Sequence, residues 1–291
     1  MRNYQHCTLC PRACGVDRTA GEKGFCGMSD KPIVAKAMIH VGEEPVIMGK
    51  KGTGAIFFSG CTLRCSYCQN HEISMGKTGV EAKDLRKTME QLIEQGAESI
   101  DLVTPGHFLP HIIDALQPKL PVPVVYNCGG YESVESLKAL EGLVDVYLPD
   151  LKYSDPTLAK DLSLAPNYFE TATAAIKEMY RQTGPFQIEN GLMKKGVLIR
   201  HLVLPGHVDN SLGVLDWISD NFKDGEILIS LMSQYVPTGN QNSPMDRRVT
   251  AEEYGGVLSW MEFCGIEQGF VQELSSATEE LLPDFDCSGV N

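Results

Sequence analysis

The chain has 291 residues, 43% of them hydrophobic, and its 25 basic and 38 acidic side chains give a net charge of −13. That suffices for one large domain or two modest ones with a full core, and with no run of Lys and Arg to track a phosphate backbone it argues against nucleic acid as a main partner. The first residues lack the apolar core of a signal peptide and no apolar run reaches membrane-spanning length, so a cytoplasmic protein is expected, away from the membrane.

Residues 1 to 32 are rich in Cys, Gly and Pro, show no periodicity, and read as a small loop-dominated module. Of the ten cysteines, Cys7, Cys10, Cys14 and Cys26 fall here. In a cytosolic chain such a density points to metal or redox chemistry rather than to disulfides. Four thiolates close the coordination of zinc or fully ligate an iron–sulfur cluster, and the spacing leaves both open. Residues 33–291 then alternate between strand and helix patterns. Strands are expected at 33–39, 55–58, 100–103, 122–126, 144–148, 197–204, 227–232 and 270–274. Amphipathic helices are expected at 81–94, 107–116, 132–140, around 168–179, at 211–222, and from a Thr250–Glu253 capping box to about Gly265. The last residues are acidic and read as a loose tail. Alternation of this kind implies a parallel sheet, and six βα units suit a partial (β/α)6 barrel better than a closed eight-fold one.

Directly after the strand at 55–58 comes Cys61-Thr-Leu-Arg-Cys65-Ser-Tyr-Cys68, a C-x3-C-x2-C loop. Three thiolates can grip one cubane [4Fe-4S] cluster and leave its fourth iron open, which is the mark of a catalytic rather than a structural site. S-adenosylmethionine (SAM) can chelate that iron through its amino and carboxylate groups and be cleaved reductively to a 5′-deoxyadenosyl radical. A zinc knuckle completed by His71 is the bland alternative, and a non-catalytic zinc-binding scaffold its functional counterpart. Tyr67 suits stacking on adenine.

In βα barrels the site lies at the C-terminal ends of the strands. The residues that follow the later strands there are polar or glycine-rich: Thr104-Pro105-Gly106-His107, Asn127-Cys128-Gly129-Gly130, Pro149-Asp150-Leu151-Lys152, Pro205-Gly206-His207 and Ser233-Gln234-Tyr235. Arg200 lies on a strand otherwise apolar. Its planar guanidinium suits a bidentate pair with a carboxylate such as that of SAM. His107 and His207 are weaker candidates to face substrate.

Phe57-Phe58-Ser59-Gly60-Cys61, Cys68-Gln69-Asn70, and Cys10-Pro11-Arg12 within the first module resemble the radical SAM superfamily, and within it the PflX branch of the group related to pyruvate formate-lyase activating enzyme. The resemblance spans nearly the whole chain. It implies a radical SAM oxidoreductase in which Cys61, Cys65 and Cys68 bind the cluster, with a reductant such as flavodoxin or ferredoxin and, as substrate, a glycyl-radical enzyme. It places Thr104 to Gly106 where the family binds the SAM amino group, without the usual Gly-Gly-Glu triplet. It also implies that Lys152 helps bind the SAM carboxylate and that Asp150 helps hold a monovalent cation. The eight-cysteine insert of many such activases is missing, which leaves a small molecule or another protein as the alternative substrate.

Overall fold

Apolar runs bounded by glycine and proline become strands, and they pair in the order that the alternation implies. The computed structural model describes residues 4–76, 78–239, 241–274 and 283–291. Strands β1 (Ile33–His40) and β2 (Thr53–Phe58) pair antiparallel, and the short β3 (Val80–Glu81) adds to the start of β1. From β2 the sheet continues in parallel through β4 (Ile100–Val103), β5 (Val124–Cys128) and β6 (Val146–Pro149). After β7 (Gln187–Glu189), an antiparallel flap on the next strand, come β8 (Leu192–Leu202), β9 (Leu228–Met232) and β10 (Gly269–Val271), all parallel to β6. The path from β3 to β10 does not close among the described residues. The six strands β2, β4, β5, β6, β8 and β9 form the expected partial barrel, and β10 extends it.

Two single-turn helices, α1 (Pro45–Met48) and α2 (His71–Ser74), precede α3 (Leu85–Glu94). The pattern suggested that α3 begins at Glu81. It begins at Leu85 because Asp84 caps it, accepting from the Lys87 N–H at 2.9 Å, and Glu81 joins β3. Next come α4 (Leu109–Ala115) and α5 (Val134–Lys138), then α6 (Pro156–Ser163), which the pattern did not reveal. Its start is nevertheless written in the chain, as Asp155 caps it and Pro156 occupies the first turn. The remaining helices are α7 (Tyr168–Thr183), α8 (Val208–Asn221) and α9 (Ala251–Phe263). The Thr250–Glu253 capping box forms as expected, and Gly255 and Gly256 sit on an open face where an added Cβ meets nothing. Among the described residues no helix is long and apolar enough to cross a membrane.

Leu9, Cys26 and Met28 of the N-terminal module belong to the same apolar cluster as Phe58, Phe108 and Leu137 of the barrel. Arg18 is fully buried there, donating to the carbonyl of His107 at 2.6 Å and lying over the Tyr4 ring at 4.6 Å. The expected loose tail is not loose over 283–291, and the rest of it, 275–282, lies outside the described residues. The Cys287 N–H bonds to Ala35 O at 2.9 Å, the Ala37 N–H to Ser288 O at 3.0 Å, and Phe285 packs on Phe57 at 5.6 Å. β3 covers only the first two residues of β1, so the backbone groups further along that edge need partners, and the tail supplies them.

Candidate active site

A cavity of about 260 Å³ opens at the C-terminal ends of the parallel strands. Each of β2, β4, β5, β6, β8 and β9 delivers residues to it from its end or the loop just beyond. After β2 the chain turns at Gly60, whose φ is +84°; an added Cβ would lie 2.7 Å from the carbonyl oxygen of Cys26. The turn therefore needs glycine, and it seats the loop of Cys61, Cys65 and Cys68 against the N-terminal module. All three thiols line the cavity. Burial pushes the Cys68 thiol up to about 12, with Cys65 and Cys61 adding to the effect and Lys152 opposing it. Burial likewise raises Cys61, reinforced by Cys65. Three thiols that feel one another inside one apolar-walled recess, with Lys152 beside them, suit a cationic iron centre, which would stabilise all three thiolates. Among the described residues no three His, Cys, Asp or Glu side chains converge as ligands of a single ion would.

Tyr67 of the cysteine loop and Thr104, Asn127, Asp150, Lys152 and Arg200 from the strand ends line the same cavity. Thr104 has a φ of +60°, and its N–H bonds to Asn127 O at 2.7 Å, tying the ends of β4 and β5 together. Gly106 is not among the lining residues. It sits in a 3-10 turn where an added Cβ would lie 2.5 Å from Glu132 Oε2 and 2.7 Å from the Tyr126 hydroxyl. His107 is buried, with Nε2 2.8 Å from Ser59 O, and burial lowers its pKa to about 3; it braces the loop from below. His207 precedes α8 and is not in the cavity lining, and His71 lies in α2, also outside it.

Arg200 is placed as expected but engaged otherwise. Its Nε donates to Asp150 Oδ1 at 2.9 Å, Nη1 to Glu43 Oε1 at 3.3 Å and Nη2 to Asn127 Oδ1 at 2.6 Å. Three of its five N–H bonds are thus spent inside the protein, which leaves one on each terminal nitrogen for a ligand such as the anticipated carboxylate. Lys152 Nζ takes the other oxygen of Asp150 at 2.6 Å. Each Asp150 oxygen thus carries one donor and keeps a second lone pair. Burial raises the Asp150 pKa, but Arg200 and Lys152 more than offset it and the net shift is downward.

The sequence reading missed Glu43, Glu44 and Asp101, which complete this floor. Asn127 Nδ2 donates to Glu43 Oε2 at 2.8 Å and to Asp101 Oδ2 at 3.2 Å. Four carboxyls meet two cations, so burial pushes Glu43 and Asp101 up as a facing pair and Glu44 up to about 7. Asp101 was detectable as a lone carboxylate inside Ile-Asp-Leu-Val. Glu43 and Glu44 gave no such signal, because the turn between β1 and β2 read only as a lead-in.

Below this floor Glu132 is buried, receives the Tyr126 hydroxyl at 3.1 Å, and is raised by burial to about 7 from an ordinary value near 4.5. A raised acid contributes stability that is fully present below pH 4.5 and is lost as the pH rises through 7. Glu132→Gln is therefore expected to remove roughly 3 kcal/mol of pH-dependent loss between pH 4.5 and 7.5. Urea midpoints of both proteins across that range test this, and parallel curves would show that Glu132 does not titrate so high.

In the N-terminal module, Cys10 feels Cys26 and Cys14, and Cys26 feels Cys7 and Cys14, so the four thiols share one neighbourhood. Burial raises Cys10 to about 12. Arg18 Nη1 lies 3.8 Å from Cys7 Sγ, and among the described residues no carboxylate pairs with Arg18.

Against known proteins, the chain is 30% identical over 277 residues to the uncharacterized protein MJ0674 of Methanocaldococcus jannaschii, covering 89% of this chain and 75% of that one. No family model matches it. Among solved structures it resembles HydG, a maturase of the [FeFe]-hydrogenase, with a TM-score of 0.51 and 15% identity over 72% of this chain and 49% of HydG. It also resembles Streptococcus suis SuiB, with a TM-score of 0.49 and 12% identity over 75% of this chain and 49% of SuiB. The chain thus spans about half the length of these two structures.

Proposed function

The chain belongs to the family of the archaeal protein MJ0674 and has the partial barrel of the radical SAM type, and from that premise we propose that it is a SAM-dependent radical enzyme. The likeness to HydG carries the fold alone. The reading is supported chiefly by one observation: Cys61, Cys65 and Cys68 share a single cavity with Tyr67, Asn127, Asp150, Lys152 and Arg200. A [4Fe-4S] cluster bound there would supply the reducing chemistry that cleaves SAM to a 5′-deoxyadenosyl radical. Cys61, Cys65 and Cys68 would hold the cluster through three thiolates, one fewer than its four irons. Tyr67 presents an aromatic wall for adenine, its hydroxyl fixed 2.8 Å from that of Tyr153. Lys152 reaches toward the SAM carboxylate from its Asp150 tether. Arg200 holds Asp150, Glu43 and Asn127 in place and so orients the polar floor. Leu63, Phe57, Val103, Leu202 and Met232 supply the apolar part of the cavity wall.

The electron donor belongs to the flavodoxin or ferredoxin class, and the compartment is the cytoplasm, where thiols stay reduced. The narrower reading, activation of a glycyl-radical enzyme as in the PflX branch, rests on motif resemblance alone. The four N-terminal thiols we propose as a closed metal site, zinc or iron–sulfur. Arg18 supports this, since a buried guanidinium among neutral partners calls for an anion and a tetrathiolate centre carries one.

The test is anaerobic reconstitution and reduction, followed by electron paramagnetic resonance with and without SAM. SAM should change the spectrum of the reduced cluster, and an unchanged spectrum would mean that no open iron receives it. With a glycyl-radical enzyme present, a glycine-centred doublet should follow; its absence with every such enzyme of the source organism would leave the small-molecule or other-protein reading. Metal analysis of a C61A/C65A/C68A variant should still find bound zinc or iron, and a metal-free variant would dispose of the N-terminal site.

A further inference from the structure

The loop of Cys61, Cys65 and Cys68 is gripped by two groups that do not line the cavity. The first is Ser163 at the end of α6. It is fully buried, and its hydroxyl donates to Cys65 Sγ at 2.9 Å. That hydroxyl also lies 2.6 Å from the Tyr153 hydroxyl, which lies 2.8 Å from the Tyr67 hydroxyl. With Ser163 donating to the sulfur, Tyr153 donates to Ser163 and Tyr67 to Tyr153, and the Tyr153 hydroxyl also lies beside Cys65. Both tyrosines are buried, so water does not compete.

The second is Arg12 of the N-terminal module. Its Nε donates to Thr62 O at 2.8 Å, its Nη2 to Ser163 O at 3.0 Å, and its Nη1 to Leu164 O. The guanidinium is sandwiched by the rings of Phe25, 3.9 Å away, and Tyr131, 5.1 Å away. One rigid fork therefore ties the residue after Cys61 to the backbone of Ser163 and its neighbour. The Ser66 N–H adds a bond to Leu162 O at 2.8 Å.

We infer that Ser163 sets the reduction potential of the cluster through Cys65, and that Arg12 is a positioning residue holding Ser163 at that sulfur. This rests on the reading of Cys61, Cys65 and Cys68 as cluster ligands. A hydrogen bond to a ligating sulfur stabilises the more negative, reduced state, so it raises the potential. The N-terminal module thereby acts on the cluster mechanically, whichever metal its own thiols hold.

The experiment is a redox titration of the reconstituted cluster, followed by absorbance and paramagnetic resonance, on the full chain. Ser163→Ala is expected to keep wild-type iron and sulfide content and to shift the midpoint to more negative potential, and Ser163→Thr, which keeps the hydroxyl, to restore it. Arg12→Lys, a point charge that cannot reach three carbonyls at once, is expected to shift the midpoint the same way in the wild-type background. In the Ser163→Ala background it should add no shift, because its effect runs through the lost hydroxyl. A Ser163→Ala midpoint equal to wild type would overturn the inference, and an Arg12→Lys shift equal in both backgrounds would overturn the positioning role. If the wild type itself takes up no cluster, it is the functional reading that fails.

Discussion

Cys65→Ala is expected to reduce 5′-deoxyadenosine formation to the level of a protein-free blank while leaving the fold standing. Cys65 is only partly buried in its loop, and its sulfur receives the Ser163 hydroxyl at 2.9 Å with the Tyr153 hydroxyl also beside it. Truncating such a side chain costs about 1 kcal/mol, against a total stability of about 5–15 kcal/mol. The chemical cost is of another order. With two thiolates instead of three, a second iron of the cubane loses its protein ligand, and the cluster is no longer held with one defined opening for SAM. The loss is thus of cofactor, not of structure. Iron and sulfide content should fall with the product, while the circular dichroism and the melting temperature of the metal-free protein stay near wild type. A variant that kept full iron content at the C-x3-C-x2-C loop would contradict the assignment of Cys65.

Arg200→Met is expected to cost roughly 3–5 kcal/mol, the largest loss of stability from any single change at the floor of the site. Arg200 neutralises Asp150 and Glu43 and satisfies Asn127, all with side chains at least four-fifths buried. Without it Asp150 keeps only Lys152, and the Glu43 pair with Asp101 loses its cation. Burial without compensation makes a removed partner far costlier than the pair is worth in itself. Lysine at the position should recover only part, because one ammonium cannot span two carboxylates and an amide. Denaturant midpoints for the three proteins measure this. A drop below about 1 kcal/mol for Arg200→Met would show that the floor is wetter, and its charges better solvated, than the packing implies.

These two changes touch the parts of the site that differ most in how they could be read. The cluster loop was legible because its chemistry is local: spacing alone brings three thiols together, and the apolar run before them marks the strand end that orients them. The barrel was legible for a similar reason, since alternating apolar periods dictate a parallel sheet. Asp150, Lys152, Asn127 and Thr104 could be placed because each lies at the end of a strand or in the first residues beyond it. What remained hidden depends on contacts between distant segments. Arg12 meets Ser163 across 151 positions, and Glu43 meets Arg200 across 157. No window along the chain holds both partners. Arg200 itself shows the limit: its residue type announced a carboxylate partner, but only the fold could reveal that the carboxylates are the protein's own. Gly106 was misplaced for a related reason, being needed for the close approach of Glu132 rather than for a ligand. The tail at 283–291 read as loose because its composition is acidic, whereas its backbone fills an unpaired edge of β1.

A radical enzyme of this kind must cleave SAM in its three-thiol cavity. The most direct measurement is chromatographic quantification of 5′-deoxyadenosine after the anaerobically reconstituted, reduced protein is mixed with SAM. Product that requires protein, reductant and intact Cys61, Cys65 and Cys68 is the predicted result. A protein that holds zinc instead of a cluster and releases no 5′-deoxyadenosine would contradict it.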